Sequence, residues 1–232
     1  KLRAIEELHR AGIDVILVVT LVNGVNNDQI GPILRFAIEN CDKITVVSFQ
    51  PVSFTGRDED VDDETRAKQR YTLSHLAHDV KAQTGVTEPL RDWFPLSAMG
   101  PFSALGDMLM DGQQKFGTLN CGCHPNCGIG TILFVNKETK QMVPLLQFLD
   151  VDQLLKDIFV IADGNMPREV ALAQVALALV RNFRPDKAPP GYTATDLFKQ
   201  FRSQTGNRGP TPGEFEPDPK ENKVFAGKGI KD

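Results

Sequence analysis

Cys121-Gly122-Cys123-His124-Pro125-Asn126-Cys127-Gly128 packs three of the four cysteines of a 232-residue chain into seven residues. Thiolates this close, in a loop whose Gly and Pro leave the backbone free to wrap, suit a soft metal centre. A disulfide explains the spacing poorly. Neighbours so near in sequence make a strained pair, and the remaining Cys41 is placed at the opening of a strand. Structural zinc is one reading, because three thiolates and the imidazole of His124 complete a tetrahedral set. The CxCxxxC spacing, however, is not the two-pair arrangement of zinc knuckles and ribbons, and it is at least as compatible with an iron–sulfur cluster. Both metals stay open on the residues alone. The fourth ligand is open too: His124, Cys41, a residue outside this chain, or substrate or solvent at an exposed iron.

The elements that must position this loop begin with residues 1–10, where apolar residues recur at helical spacing until Ala11-Gly12. Residues 13–22 are nearly all aliphatic and β-branched, which predicts a parallel strand covered on both faces. Asn23 to Asp28 form a turn cluster, with Asp28 as N-cap of a helix carrying Ile30, Ile33, Leu34 and Ala37 on one face. A second strand is expected at 44–50. Helix, strand, helix, strand with short connections marks parallel β/α units, whose ligands sit beyond the carboxyl ends of the strands. Polar residues gather at those ends: Thr20, Asn23 and Asn26 after the first strand, Ser48, Gln50, Ser53, Thr55 and Arg57 after the second.

A charge run at 57–66 leads into a helix expected over 63–83, with Leu73, Leu76, Ala77 and Val80 as its buried stripe. Asp58, Asp60 and Asp62 alternate like a calcium loop. Its sixth position is Asp63 rather than Gly, and its twelfth is Gln69 rather than Glu, so that reading fails. His75 and His78 stand three apart without an accompanying carboxylate pattern and read as helix surface. Residues 93–110 are apolar and punctuated by Pro95 and Pro101, giving a loop and then a helix with Phe102, Leu105 and Leu109. Runs at 130–135 and 141–148 around the polar turn 136–140 predict a β-hairpin. Helices follow at 151–160, 167–183 and 195–202, and the Gly-, Pro- and charge-rich stretch after residue 206 predicts a disordered tail. The formal charge of −4, with 41% hydrophobic and 24% charged residues, describes a globular chain without the basic stripe that nucleic-acid binding needs. The longest apolar run, 15–22, falls short of the roughly 18 residues a membrane span requires. Lys1 opens inside an amphipathic pattern with no start methionine or cap, which predicts a piece of a longer protein.

Three segments together carry a resemblance: Leu17-Val18-Val19-Thr20-Leu21-Val22-Asn23-Gly24-Val25-Asn26, Ser48-Phe49-Gln50-Pro51-Val52-Ser53-Phe54-Thr55-Gly56-Arg57, and Cys123-His124-Pro125-Asn126-Cys127-Gly128. Over residues 1–158 the chain resembles the radical S-adenosylmethionine (SAM) enzymes of the tetraether lipid synthase group, related to class D methyltransferases. The resemblance implies an α/β fold. It would be the C-terminal part of a partial, TIM-like β/α barrel whose fifth and sixth strands are the two here, followed by a Cys loop with β-hairpin and a small helical region. The corresponding divisions are 1–60 for the last two β/α units, 61–160 for an auxiliary cluster region, 161–205 for a helical extension and 206–232 for the tail. Trp93-Phe94-Pro95-Leu96-Ser97 would lie beside the active site.

The CxxxCxxC that binds the SAM-cleaving 4Fe-4S cluster in such enzymes is absent. Cys123 and Cys127 have its first spacing, but the third position is Gly130. The resemblance therefore places that motif before Lys1, leaves this stretch inactive by itself, and gives Cys121, Cys123 and Cys127 an auxiliary 4Fe-4S cluster. It implies Thr20, Gly24, Asn26 and Gln50 as positions facing SAM; against this, Asn26 can shape a turn, Gln50 can bond barrel backbone and Gly24 can serve backbone geometry. Arg57 would meet a carboxylate or lipid phosphate, or remain a surface arginine. Phe94, Met99, Phe102, Leu105, Met108 and Met110 would line an alkyl-chain channel or pack as core. No residue is assigned as catalytic.

The implied chemistry is a 5'-deoxyadenosyl radical that takes hydrogen from an unactivated carbon. The first expectation is carbon–carbon joining of lipid chains. The alternative is methylation of a small heterocycle such as a pterin with a methylene donor. A reading from another class is a non-catalytic zinc or iron–sulfur module. Expected partners are a lipid or small-molecule substrate and an electron donor such as ferredoxin or flavodoxin, with no nucleic acid. The expected location is a reducing cytoplasm, at the inner membrane face if the substrate is lipid.

Overall fold

A computed structural model describes residues 1–54, 60–101, 105 and 127–199. Helix α1 (Leu2–Arg10) leads into strand β1 (Val15–Leu21). A short 3-10 turn (Asn27–Gln29) then opens helix α2 (Ile30–Glu39), and strand β2 (Ile44–Pro51) returns parallel to β1. This is one β/α/β unit, with α1 added in front. The described residues hold two parallel strands and do not close into a barrel.

The expectation of a strand covered on both faces is corrected. Leu17, Val19 and Leu21 of β1, with Val47 and Phe49 of β2, pack toward the helices, against Ile30, Leu76, Val80 and Trp93 at one end and Ile5 and Ala37 at the other. The alternate residues Ile16, Val18 and Val46 remain 56%, 62% and 48% exposed. An aliphatic run states that both faces avoid polar residues; it does not state that both are covered.

The long helix expected over 63–83 is two. Helix α3 (Asp63–Gln69) is capped by Asp62, whose carboxylate accepts from the Thr65 amide. Helix α4 (Leu73–Thr84) starts afresh at Thr72, whose backbone is extended and whose hydroxyl accepts from the His75 amide. The break turns Tyr71 into the core, where it is buried with Leu76 and Val80. The cap assigned to Asp28 is also corrected: Asp28 lies inside the 3-10 turn, and the amide of Gly31 is satisfied instead by the side chain of Gln83. Cys41 sits in the turn before β2 rather than in the strand, within 3.6 Å of the Lys140 ammonium.

Strand β3 (Phe94–Pro95) pairs antiparallel with β4 (Ile129–Gly130), a pairing the sequence did not announce. Strands β5 (Leu133–Val135) and β6 (Met142–Pro144) form the expected hairpin, shorter than anticipated because the chain turns into one helical turn at Leu145–Phe148. Helices α5 (Val151–Asp163) and α6 (Arg168–Asn182) then pack together, with Pro167 standing as N-cap rather than as the first helical residue. Residues 194–199 are helical. This region shares a continuous core in which Phe148, Leu154, Ile158, Ala171 and Val175 are buried, and Leu105 is buried in the same core. No helix among the described residues is long and apolar enough to cross a membrane.

Candidate functional site

The open face of the β1–β2 sheet is where the sequence candidates meet. Ladder partners in a parallel pair point to the same side, so the register Ile16↔Val46, Val18↔Ser48, Thr20↔Gln50 puts these six side chains on the face away from the helices. Thr20 and Gln50 stand side by side at the carboxyl ends, both exposed. Apolar Ile16, Val18 and Val46 form the floor behind them, with the hydroxyl of Ser48 between. The face is thus an exposed apolar floor with a hydroxyl and a carboxamide side by side at one end.

The turn after β1 is built differently from what a ligand-facing Asn26 requires. Its carboxamide is engaged at both ends: the oxygen accepts from the Val22 amide at 2.9 Å, and the nitrogen donates to the Thr20 carbonyl at 2.9 Å. Asn26 thus shapes the turn that presents Thr20. Gly24 has φ +74, in the left-handed region where glycine is unstrained, and its amide donates to the Asn27 side chain at 2.8 Å.

Sequence reasoning missed the groups that tie this turn to α4. The Gln83 carboxamide accepts from the Gly31 amide at 2.7 Å and donates to the Asn27 carbonyl at 2.8 Å. Asp79 accepts from the Tyr71 hydroxyl at 2.6 Å and from the Asn27 side chain at 3.4 Å. Burial, reinforced by the Asp79 carboxylate, pushes the Tyr71 phenol far above its ordinary range, so it remains a donor. Asn27 and Gly31 lie more than fifty residues from Asp79 and Gln83, beyond the reach of any local pattern.

The end of the cysteine cluster is placed by a second route. Trp93 packs into the core beneath β1 and β2, and its indole N–H donates to Thr87 at 3.3 Å. From there Phe94 and Pro95 pair with β4, and the Leu96 amide donates to the Gly128 carbonyl at 3.1 Å. Gly128 lies close to Leu96: a Cβ there would fall 2.5 Å from Leu96 Cδ1, so the Leu96 side chain would have to move aside. Cys127, one residue earlier, is therefore held beside the Phe94-Pro95-Leu96 segment with an exposed, unpaired thiol. Cys121, Cys123 and His124 lie outside the described residues, as do Thr55, Arg57, Phe102, Met108 and Met110. Among the described residues no group of three or more His, Cys, Asp or Glu converges as a metal site. Three soft thiolates fit iron–sulfur and zinc alike.

The histidines have other duties. His75 Nδ1 accepts from the Thr72 amide, completing the reciprocal cap of α4. His78 borders an open depression of about 450 Å³ with Lys81, Glu88, Pro89, Leu90 and Arg91. Its cations are already paired, Lys81 with Glu88 at 2.6 Å and Arg91 with buried Asp92 through two 2.7 Å bonds. Thr20, Gly24, Asn26, Gln50 and Cys127 are not among the residues that line it.

No family model matches the chain. Over 194 residues it is 36% identical to 7,8-dihydro-6-hydroxymethylpterin dimethyltransferase of Methanocaldococcus jannaschii, a match covering 82% of this chain and 37% of that protein. The chain thus spans little more than a third of the length of the curated relative it matches.

Proposed function

We propose that this chain is part of a radical SAM methyltransferase of the class D type, acting on a small heterocycle such as a pterin. The observation that carries the proposal is the 36% identity to a pterin dimethyltransferase across most of the chain. The three segments quoted above, two of which flank the open sheet face, support the radical SAM part of it. The same relative favours methylation over the lipid joining expected first, and an enzyme over a non-catalytic metal module.

When bound, SAM and its reducing cluster would supply a radical able to take hydrogen from an unactivated carbon. Thr20 and Gln50 would bind and orient polar groups of SAM, while Ile16, Val18 and Val46 would keep water from the reacting face. Asn26 and Gly24 would hold the turn that sets Thr20. Cys127, with Cys121 and Cys123, would hold an auxiliary 4Fe-4S cluster, and a ferredoxin or flavodoxin would deliver electrons.

The test is turnover by the complete native polypeptide, reconstituted anaerobically with iron and sulfide and given SAM, a low-potential reductant, a methylene donor and an isotopically labelled pterin. Mass spectrometry should find one-carbon gains. A coupled product of doubled mass, or no gain from a protein that does cleave SAM, would overturn the methyltransferase reading. Stoichiometric zinc in a colourless protein would overturn the cluster at Cys121, Cys123 and Cys127.

A further inference from the structure

We propose that Gln83 and Asp79 of α4 are positioning residues for SAM: they fix the turn after β1 so that Thr20 and the strand end face the cofactor in one geometry. The inference rests on the radical SAM reading above. Within the turn, the hydrogen bonds of Asn26 to Val22 and Thr20, and of Gly24 to Asn27, set local shape only. Two anchors from outside the turn hold its two ends. At one end, Asn23 is tied to the last turn of α3, its side chain donating to the Lys68 carbonyl at 2.9 Å and its amide to the Gln69 carbonyl at 3.1 Å. At the other, α4 grips Asn27 twice, at its side chain through Asp79 and at its carbonyl through Gln83.

Gln83 has the stronger hold. Both ends of its amide are used, one on the turn and one on the first turn of α2, so a single side chain of α4 bridges the Asn27 carbonyl and the Gly31 amide. The fit leaves no slack: a Cβ on Gly31 would stand 2.9 Å from Gln83 Cβ. Asp79 is itself held by the Tyr71 hydroxyl, so its grip on Asn27 has a fixed base in the core. Apolar packing of Leu76 and Val80 already attaches α4 beneath the sheet. The polar pair adds a specified turn geometry, which is what supporting residues contribute to a ligand site.

The experiment compares SAM dissociation constants, measured by equilibrium dialysis, with thermal midpoints. The proteins are the reconstituted complete polypeptide and its Gln83→Leu, Gln83→Glu, Asp79→Ala and Asn182→Ala variants. Asn182 is a buried hydrogen-bonding residue of α6, remote from the turn in sequence, and its variant reports the effect of lost stability alone. Gln83→Leu should weaken SAM binding about tenfold, the loss typical of a removed supporting partner. Gln83→Glu keeps the acceptor for the Gly31 amide but loses the donor to the Asn27 carbonyl, so it should weaken SAM binding as Gln83→Leu does. Asn182→Ala should lower the midpoint and leave SAM binding unchanged. Equal affinity in wild type and Gln83→Leu, or equal weakening in Gln83→Leu and Asn182→Ala, would overturn the proposal. If Gln83→Leu does not fold, Asp79→Ala, which removes the acceptor of the Asn27 side chain, decides by the same two readings. A wild-type protein that binds no SAM removes the radical SAM reading and this inference with it, whereas normal wild-type binding with insensitive variants removes this inference alone.

Discussion

The two regions of the molecule solve the same problem to different degrees. In the C-terminal region α5 and α6 close over the hairpin and the Leu145–Phe148 turn, making one continuous buried cluster with edge-to-face contacts from Phe148 to Phe134 and Phe183. In the N-terminal region the core is split into two small clusters under one face of a two-stranded sheet, and the other face stays open. Burial of apolar surface is the main stabilising term, so the C-terminal region has the greater means of holding itself together. The N-terminal region leaves uncovered the surface where its ligand-competent side chains stand. The larger core and the proposed site fall in different regions, and the short β3–β4 ladder lies next to Cys127.

The largest test of this contrast is Phe148→Ala. Phe148 is fully buried at the centre of an aromatic group with Phe134, Phe183 and Tyr192. Its truncation should cost about 3–5 kcal/mol, read from chemical denaturation. A loss below about 1 kcal/mol, the common range for unremarkable sites, would mean that this region is not the scaffold.

The junction gives a smaller effect. Gly128→Ala places a methyl 2.5 Å from Leu96 Cδ1 and 3.1 Å from its Cγ. Overpacking of this kind costs about 1–3 kcal/mol, and the partial exposure of Leu96 gives it room to swing aside, which sets the lower end. Leu96→Ala removes the clashing atoms, so a double-mutant cycle should show the two changes together costing less than their sum. Additive costs would separate Cys127 from the Leu96 contact.

The open face makes a conditional prediction. In the chain described here Val18→Asp falls on exposed surface and should change stability by no more than about 0.5 kcal/mol. In the complete native polypeptide, if that face is the inner wall of a barrel, the same carboxylate would be buried without a partner and the protein should fail to accumulate in soluble form. Equal tolerance in both settings would leave the face as plain surface and dissolve the division proposed above.

How much of this was legible in the sequence follows the range of the forces involved. A β-branched aliphatic run located β1, helical spacing located α1 and α2, and a polar turn between two apolar runs located the hairpin, because these signals are local. Tyr71-Thr72 split the expected long helix because a buried aromatic and a capping hydroxyl together outweigh continued helical hydrogen bonding. The pairing of β3 with β4 covers only two residues on each strand and leaves no periodic trace. Thr20 and Gln50 were legible as strand-end polar residues, and their shared face follows from register. Gln83 and Asp79 were invisible because their partners are distant in sequence. The continuous aliphatic run of β1 carried no information about what covers it.

The smallest prediction compares one carboxylate in each region. Asp62 accepts from the Thr65 amide and hydroxyl at 2.7 and 2.9 Å, and the Asp196 carboxylate accepts from the Thr193 amide and hydroxyl at 3.0 and 2.6 Å. These hydrogen bonds, the backbone amide foremost at Asp62 and the hydroxyl foremost at Asp196, hold both carboxyls below the ordinary aspartate range. A depressed folded pKa means that the unfolded chain takes up the proton first. The contribution is therefore complete above the unfolded aspartate pKa and is lost as pH falls through the folded value. Both motifs are solvent-accessible, so the signature is local: the amide protons of Thr65 and Thr193 should shift together with carboxylate titration in acid while Phe148 stays packed. Asp62→Asn should abolish the Thr65 titration and leave that of Thr193 intact. If the Thr65 shift instead follows global unfolding, the N-terminal region has no acid-sensitive step of its own and the two regions melt as one.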